Sequence, residues 1–163
     1  MKGSEFHRNK KRLAIKKANE IAAVKIGILA EREFFIAGVA LYWAEGSKKD
    51  SGVAFSNSDP KMIQFMYEWF KKFFNLRDTD FMPRIFINAQ HSDRIDKVLT
   101  FWSSLLELPS GYFGRTVLLR ISQKKVYENR ETYFGVLSLR VRKSTWIKYQ
   151  ILGMIGKLDY MSG

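Results

Sequence analysis

The spacing of apolar side chains changes several times along the chain, and each change predicts an element. From Arg8 to Arg32 lysine, alanine and isoleucine recur with no glycine before Gly27, which predicts a helix with a strongly basic surface. Phe34 to Ala44 is an almost unbroken apolar run that ends in Glu45 and Gly46. It predicts a second helix from Glu33 to Glu45, with Gly46 where a C-terminal cap belongs. Ala37, Ala40 and Ala44 fall at i, i+3 and i+7, on one face small enough for another backbone to approach. Val53 to Ser58 predicts a short strand. In the "NSDP" that ends it, Asp59 suits a helix cap and Pro60 the first helical position. Lys61 to Phe74 then carries Ile63, Met66, Tyr67, Phe70 and Phe74 at helical spacing, a core-facing stripe.

The second half alternates strand and helix patterns. "MPRIFINAQ" predicts a strand and "SDRIDKVLTFWSSLLEL" a helix that stops before Pro109. Two strands follow, "RTVLLRISQ" and "YFGVLSLRVR", and a closing helix runs from Ser144 to Leu158. Helices mixed with mostly antiparallel strands make an α+β design, a curved sheet backed by helices.

Alternation along the strands splits each into two faces. Ile85, Ile87 and Ala89 oppose Arg84, Phe86, Asn88 and Gln90; Arg120 and Ser122 oppose Val117, Leu119 and Ile121; Ser138, Arg140 and Arg142 oppose Leu137, Leu139 and Val141. One face is aliphatic. The other offers arginine, amide and hydroxyl groups, which suit phosphates and base edges.

Charge makes that face more pointed. The chain has 28 Lys and Arg against 16 Asp and Glu, a net +12, so a polyanion is the natural partner and nucleic acid leads. A membrane partner would need a basic amphipathic helix or an acylation site, and no cysteine is present. The apolar run at Phe34 falls short of the roughly 20 residues that span a bilayer. Lack of cysteine also excludes disulfides, cysteine-held zinc and thiol nucleophiles. His7 and His91 alone leave little histidine chemistry, and no dinucleotide or P-loop motif occurs. The expected compartment is cytoplasm, at the nucleoid. Residues 1–6 read as an expression scar around Gly3, Ser4, Glu5 and Phe6, residues 7–32 as a basic helical arm, and residues 33–160 as one domain.

"GVALYWAEG", Gly38 to Gly46, resembles the signature of the LAGLIDADG homing endonucleases, a helix of small and apolar residues closing on an acid and glycine. "VAFSNSDP" with the helix after it, and the strand and helix of "GVLSLRVRKSTWIKYQILGMIGKL", resemble other segments of that family. The resemblance implies a LAGLIDADG-like fold in which two signature helices pack side by side, here through Ala37, Ala40 and Ala44 of a homodimer. It implies Glu45 as ligand to Mg²⁺ or another divalent cation, a basic residue near the site at Lys143, and Asp59 as the polar residue that positions water. Helix capping is the competing role for Asp59. Three departures stand out: Ala40 replaces the usual first glycine, Glu45 the commoner aspartate, and residues 46–58 are too few for the family's long DNA-reading hairpin. The helix from Ser92 to Leu108 reads as an insertion.

The function expected is therefore metal-dependent cleavage of double-stranded DNA by a homodimer. Glu45, Lys143 and Asp59 form the expected catalytic set, and Arg84, Asn88, Gln90, Arg120, Ser122, Ser138, Arg140 and Arg142 the expected DNA contacts. The alternatives are a catalytically silent DNA-binding regulator of the same fold and a maturase-like RNA binder.

Overall fold

The computed structural model describes residues 2–120 and 130–159. Two compact units make up the chain, Met1–Phe34 and Phe35–Gly163. The first contains α1 (Lys2–Ile26), which starts six residues before the predicted Arg8. Gly27, at φ +58°, closes it by donating its N–H to the Ala23 carbonyl at 2.9 Å. The next helix, α2 (Glu31–Glu45), starts two residues before the predicted Glu33. Its start is fixed locally, for the Glu33 carboxylate reaches back to the Ala30 N–H at 2.7 Å.

The second unit is α+β. Its sheet contains β1 (Ala54–Asn57), β2 (Arg84–Asn88), β3 (Val117–Leu119) and β4 (Val136–Arg140), in the order β1-β4-β2-β3. The β1–β4 and β4–β2 pairings are antiparallel, as the patterning predicts. The β2–β3 pairing is parallel, which makes the sheet mixed. A parallel pair needs a crossover, and the stretch that looked like an insertion supplies it: a 3₁₀ turn, Ala89–Arg94, leads into α4 (Ile95–Leu106). Residues 121–129, including the end of the predicted third strand, lie outside the described residues.

One sheet face is aliphatic and covered. Phe55, Ile85, Ile87, Leu137 and Leu139 are all fully buried, with Phe81 beside them. The helix α3 (Pro60–Phe74) packs over β1 and β4 and beside α4, contributing Ile63, Met66, Tyr67, Trp69 and Phe70. Its start follows the sequence signal, since the Asp59 Oδ1 accepts from the Lys61 N–H at 2.8 Å and Pro60 opens the helix. From α4, Trp102 donates its indole N–H to the Phe134 carbonyl at 2.8 Å, and Phe101 stacks on Phe134. The chain closes with α5 (Thr145–Asp159). Among the described residues no helix is long and apolar enough to cross a membrane.

Candidate nucleic-acid interface

Register decides which polar residues meet. Ser56 pairs with Ser138, and Ser138 with Arg84, so these three form a row across β1, β4 and β2 on the face opposite the core. Arg140, opposite Ala54, lies one alternation further along β4. The Ser56 hydroxyl donates to the Ser138 hydroxyl at 2.9 Å, and Ser138 is almost fully covered. Arg84 and Arg140 are half-buried. The Arg84 Nε is covered and has no hydrogen-bond partner among the described residues, and it borders the place a β-carbon on Gly114 would take, 3.4 Å away. A covered guanidinium N–H without an acceptor is costly, and therefore informative.

Other expected contacts are used differently. Asn88 is buried, and its side-chain oxygen accepts from the Gln90 N–H at 2.9 Å, so it caps the 3₁₀ turn. Gln90 lies in that turn, exposed and beyond the strand. Val117 and Leu119 pair with Phe86 and Asn88, whereas Leu118 pairs with Ile87. Arg120, just past β3, thus continues the alternation of Leu118 rather than that of Arg84. The parallel pairing sets this parity, which patterning within one strand cannot. Towards β3 the open face becomes apolar, with Phe86, Val136, Val117 and Leu119. Ser122 lies outside the described residues. Arg142 and Lys143 occupy the turn before α5, both exposed, with Lys143 at φ +45°.

At the base of α2 the backbone turns sharply. Gly46 donates to the Tyr42 carbonyl at 2.8 Å, bridges to Phe55, and is followed by Ser47 donating to the Ala54 carbonyl at 2.8 Å. A β-carbon at Gly46 would collide with the Tyr42 ring, so glycine is required. The helix end is thereby stitched to β1. Glu45, exposed, stands just before that bridge. Asp59 lies beyond Asn57, at the far end of β1, whereas Lys143 follows Val141, whose N–H donates to the Val53 carbonyl at the near end. The intervening strand measures about 13 Å at roughly 3.3 Å per residue. Asp59 and Lys143 therefore lie past opposite ends of β1, and the base of α2 joins the strand between them, at Ala54 and Phe55. Among the described residues no three His, Cys, Asp or Glu side chains group to hold a metal.

Around α2 two apolar faces oppose each other. Gly38, Val39 and Tyr42 are buried, while Ala40, Trp43 and Ala44 are exposed and Ala37 is half-buried. Burial pushes the Tyr42 hydroxyl up to about 12, and it donates to the Ser47 carbonyl at 3.0 Å.

The sequence reading missed a polar anchor beneath this base. Lys148, one of the 28 basic residues, is 2% exposed, and its ammonium donates to the Asp50 carbonyl at 2.9 Å and the Gly52 carbonyl at 3.4 Å. Burial holds its pKa below the ordinary lysine value. Ser144, also buried, accepts from the Val53 N–H and donates to the Val141 carbonyl, both at 2.8 Å. The signal was available: Ser144, Lys148, Ile151 and Ile155 recur at helical spacing, and all are buried. On another side of α5, Trp146 and Tyr149 are exposed at i and i+3. No protein-family model matches this chain, and no protein of established function or solved structure is similar enough to it to count as a match.

Proposed function

We propose that this protein binds double-stranded DNA as a homodimer of LAGLIDADG type and cleaves it with the help of a divalent cation. The observation that carries this reading is the exposed apolar face of α2. Ala37, Ala40 and Ala44 share it with Trp43, opposite the buried line of Gly38, Val39 and Tyr42. A helix apolar on all sides is normally buried on all sides; a second α2 packed through the alanine face would complete that burial. It would also bring two copies of Glu45 towards one symmetry axis, matching the two strands of a near-palindromic target.

Glu45 is an oxygen donor at a helix end, the chemistry that a hard cation such as Mg²⁺ prefers, and a site with few protein carboxylates leaves room for phosphate oxygens. The bound cation would supply Lewis acidity towards a phosphodiester and lower the pKa of a bound water. The chain's own part is to hold the Glu45 carboxylate at the rigid junction of α2 and β1, and to seat the phosphate backbone on Arg84 and Arg140. Those two guanidiniums, with Ser138 and with Ser56 on the edge strand β1, form the polar half of the open sheet face.

A second reading keeps the DNA and removes the chemistry. Asp59 is engaged as the α3 cap, and Lys143 lies past the other end of β1; the silent regulator asks neither to act with Glu45. A randomised duplex library with Mg²⁺ or Mn²⁺ separates the two. Defined double-strand breaks, lost in Glu45→Gln while DNA binding persists, are expected; binding without breaks in either metal would leave the silent regulator. Ala44→Glu should give a folded monomer by sedimentation, and an unchanged dimer would remove the α2 interface.

A further inference from the structure

The helix α1 is unlike the rest of the molecule in how it carries charge. Between residues 7 and 26 it has Arg8, Lys10, Lys11, Arg12, Lys16, Lys17 and Lys25 against Glu20 alone. At about 100° per residue these bases point in three directions, roughly a third of a turn apart. Arg8, Arg12 and Lys16 share one, Lys10 and Lys17 a second, Lys11 and Lys25 a third. The apolar side chains do not form a clean face. Leu13, Ile21 and Val24 fall within about 80° of one another, but Lys10 and Lys17 lie in the same sector and Ile15 on the opposite side, and these apolar residues are all exposed. There is no seam for a coiled coil, which needs apolar positions every three to four residues along one line. There is also no single apolar face with which to lie on a bilayer.

A cylinder positive on all sides fits a partner that is negative on more than one side. A flat anionic surface touches one azimuth. The major groove of a DNA duplex admits a helix between two phosphate walls and meets several at once.

Charge placement also says what the free helix lacks. Arg8, Arg12 and Lys16 repeat at i, i+4 along α1, where like charges repel. Glu20 answers Lys16 at 4.0 Å, but both are largely exposed. Phosphates would relieve that repulsion.

We infer that α1 is a DNA-binding arm that seats in a duplex groove, and that its helix is stabilised by the phosphates it contacts. This rests on the DNA-binding reading above and extends it to a second contact surface. The test compares the full chain with the variant K10Q/K11Q/R12Q/K16Q/K17Q, whose glutamines keep helix propensity. Anisotropy on a defined duplex from 50 to 200 mM salt should show the slope of log K against log salt falling by about 4 in the variant. Far-UV circular dichroism at low salt should show helix content rising when duplex is added to the full chain, and rising less in the variant. Vesicles of phosphatidylserine and phosphatidylcholine should not reproduce that rise. Equal slopes, or an equal response to the vesicles, would overturn the arm while leaving DNA binding by the sheet face intact. No binding of duplex by the full chain would overturn both.

Discussion

The indole of Trp69 fills the place where a side chain on Gly38 would begin. Trp69 is fully buried and pinned, since its N–H donates to the Phe35 carbonyl at 3.0 Å. It stacks on Phe35 and meets Phe70, Phe73 and Phe74. Because the ring cannot swing away cheaply, Gly38→Ala should destabilise the protein by about 1–3 kcal/mol in urea unfolding. Gly153 and Gly156 are the contrast. Nothing lies within 4 Å of a β-carbon at either, so alanine there should stabilise α5 by about 0.5–1 kcal/mol.

Tyr42 sets an alkaline limit. Its hydroxyl ordinarily titrates near 10 and is pushed up to about 12 in the fold, so the unfolded chain loses that proton first. Stability from this group is complete below pH 10 and declines as pH rises through 12. Tyr42→Phe should lose about 1 kcal/mol at pH 7, from the hydrogen bond to Ser47, and lack this decline. Unfolding midpoints measured from pH 9 to 12 check both.

Lys148 acts with the opposite sign. Its folded pKa is held below its ordinary 10.5 by burial, with Lys48 lowering it further and Asp50 opposing. Its contribution to stability therefore grows as pH climbs from the lowered value to 10.5. Lys148→Met should cost about 1–3 kcal/mol at pH 7, because the Asp50 and Gly52 carbonyls lose their donor. The rise with pH should shrink as well. A proteolysis time course should locate the loosening at residues 47–53.

The row on the open face predicts a polyanion effect. Changing Arg84 and Arg140 together to methionine keeps much of their packing and removes two charges. On duplex DNA the salt slope should fall by about 2, with affinity lower by about tenfold at 0.15 M salt. Arg120→Met, on the other alternation, should change affinity less than either single variant.

Much of the fold follows from local signals. The period of α3, its Asp59 cap and Pro60 start, the break at Gly46 and the closing helix are each set by residues within a turn or two. So are the alternating faces of β2 and β4, where Ile85, Ile87, Leu137 and Leu139 are buried on the core side. Pairing is different, because it joins residues far apart in the chain. β2 and β3 run parallel because α4 carries the chain across between them, and that choice puts Leu118 beside Ile87 and changes the parity of Arg120. No period within either strand contains it.

The candidate site divides along the same line. Composition fixes a strong positive charge, and the sequence alone places an acid and glycine at the end of an apolar helix, because both depend on neighbours in the chain. The fold alone put Asp59 and Lys143 past opposite ends of β1 and left one apolar side of α2 exposed. It also buried Lys148, which composition counts as one more surface charge, under the carbonyls of Asp50 and Gly52. Direction within an element is a property of backbone geometry; exposure and company are properties of everything packed around it, and only the folded chain supplies those.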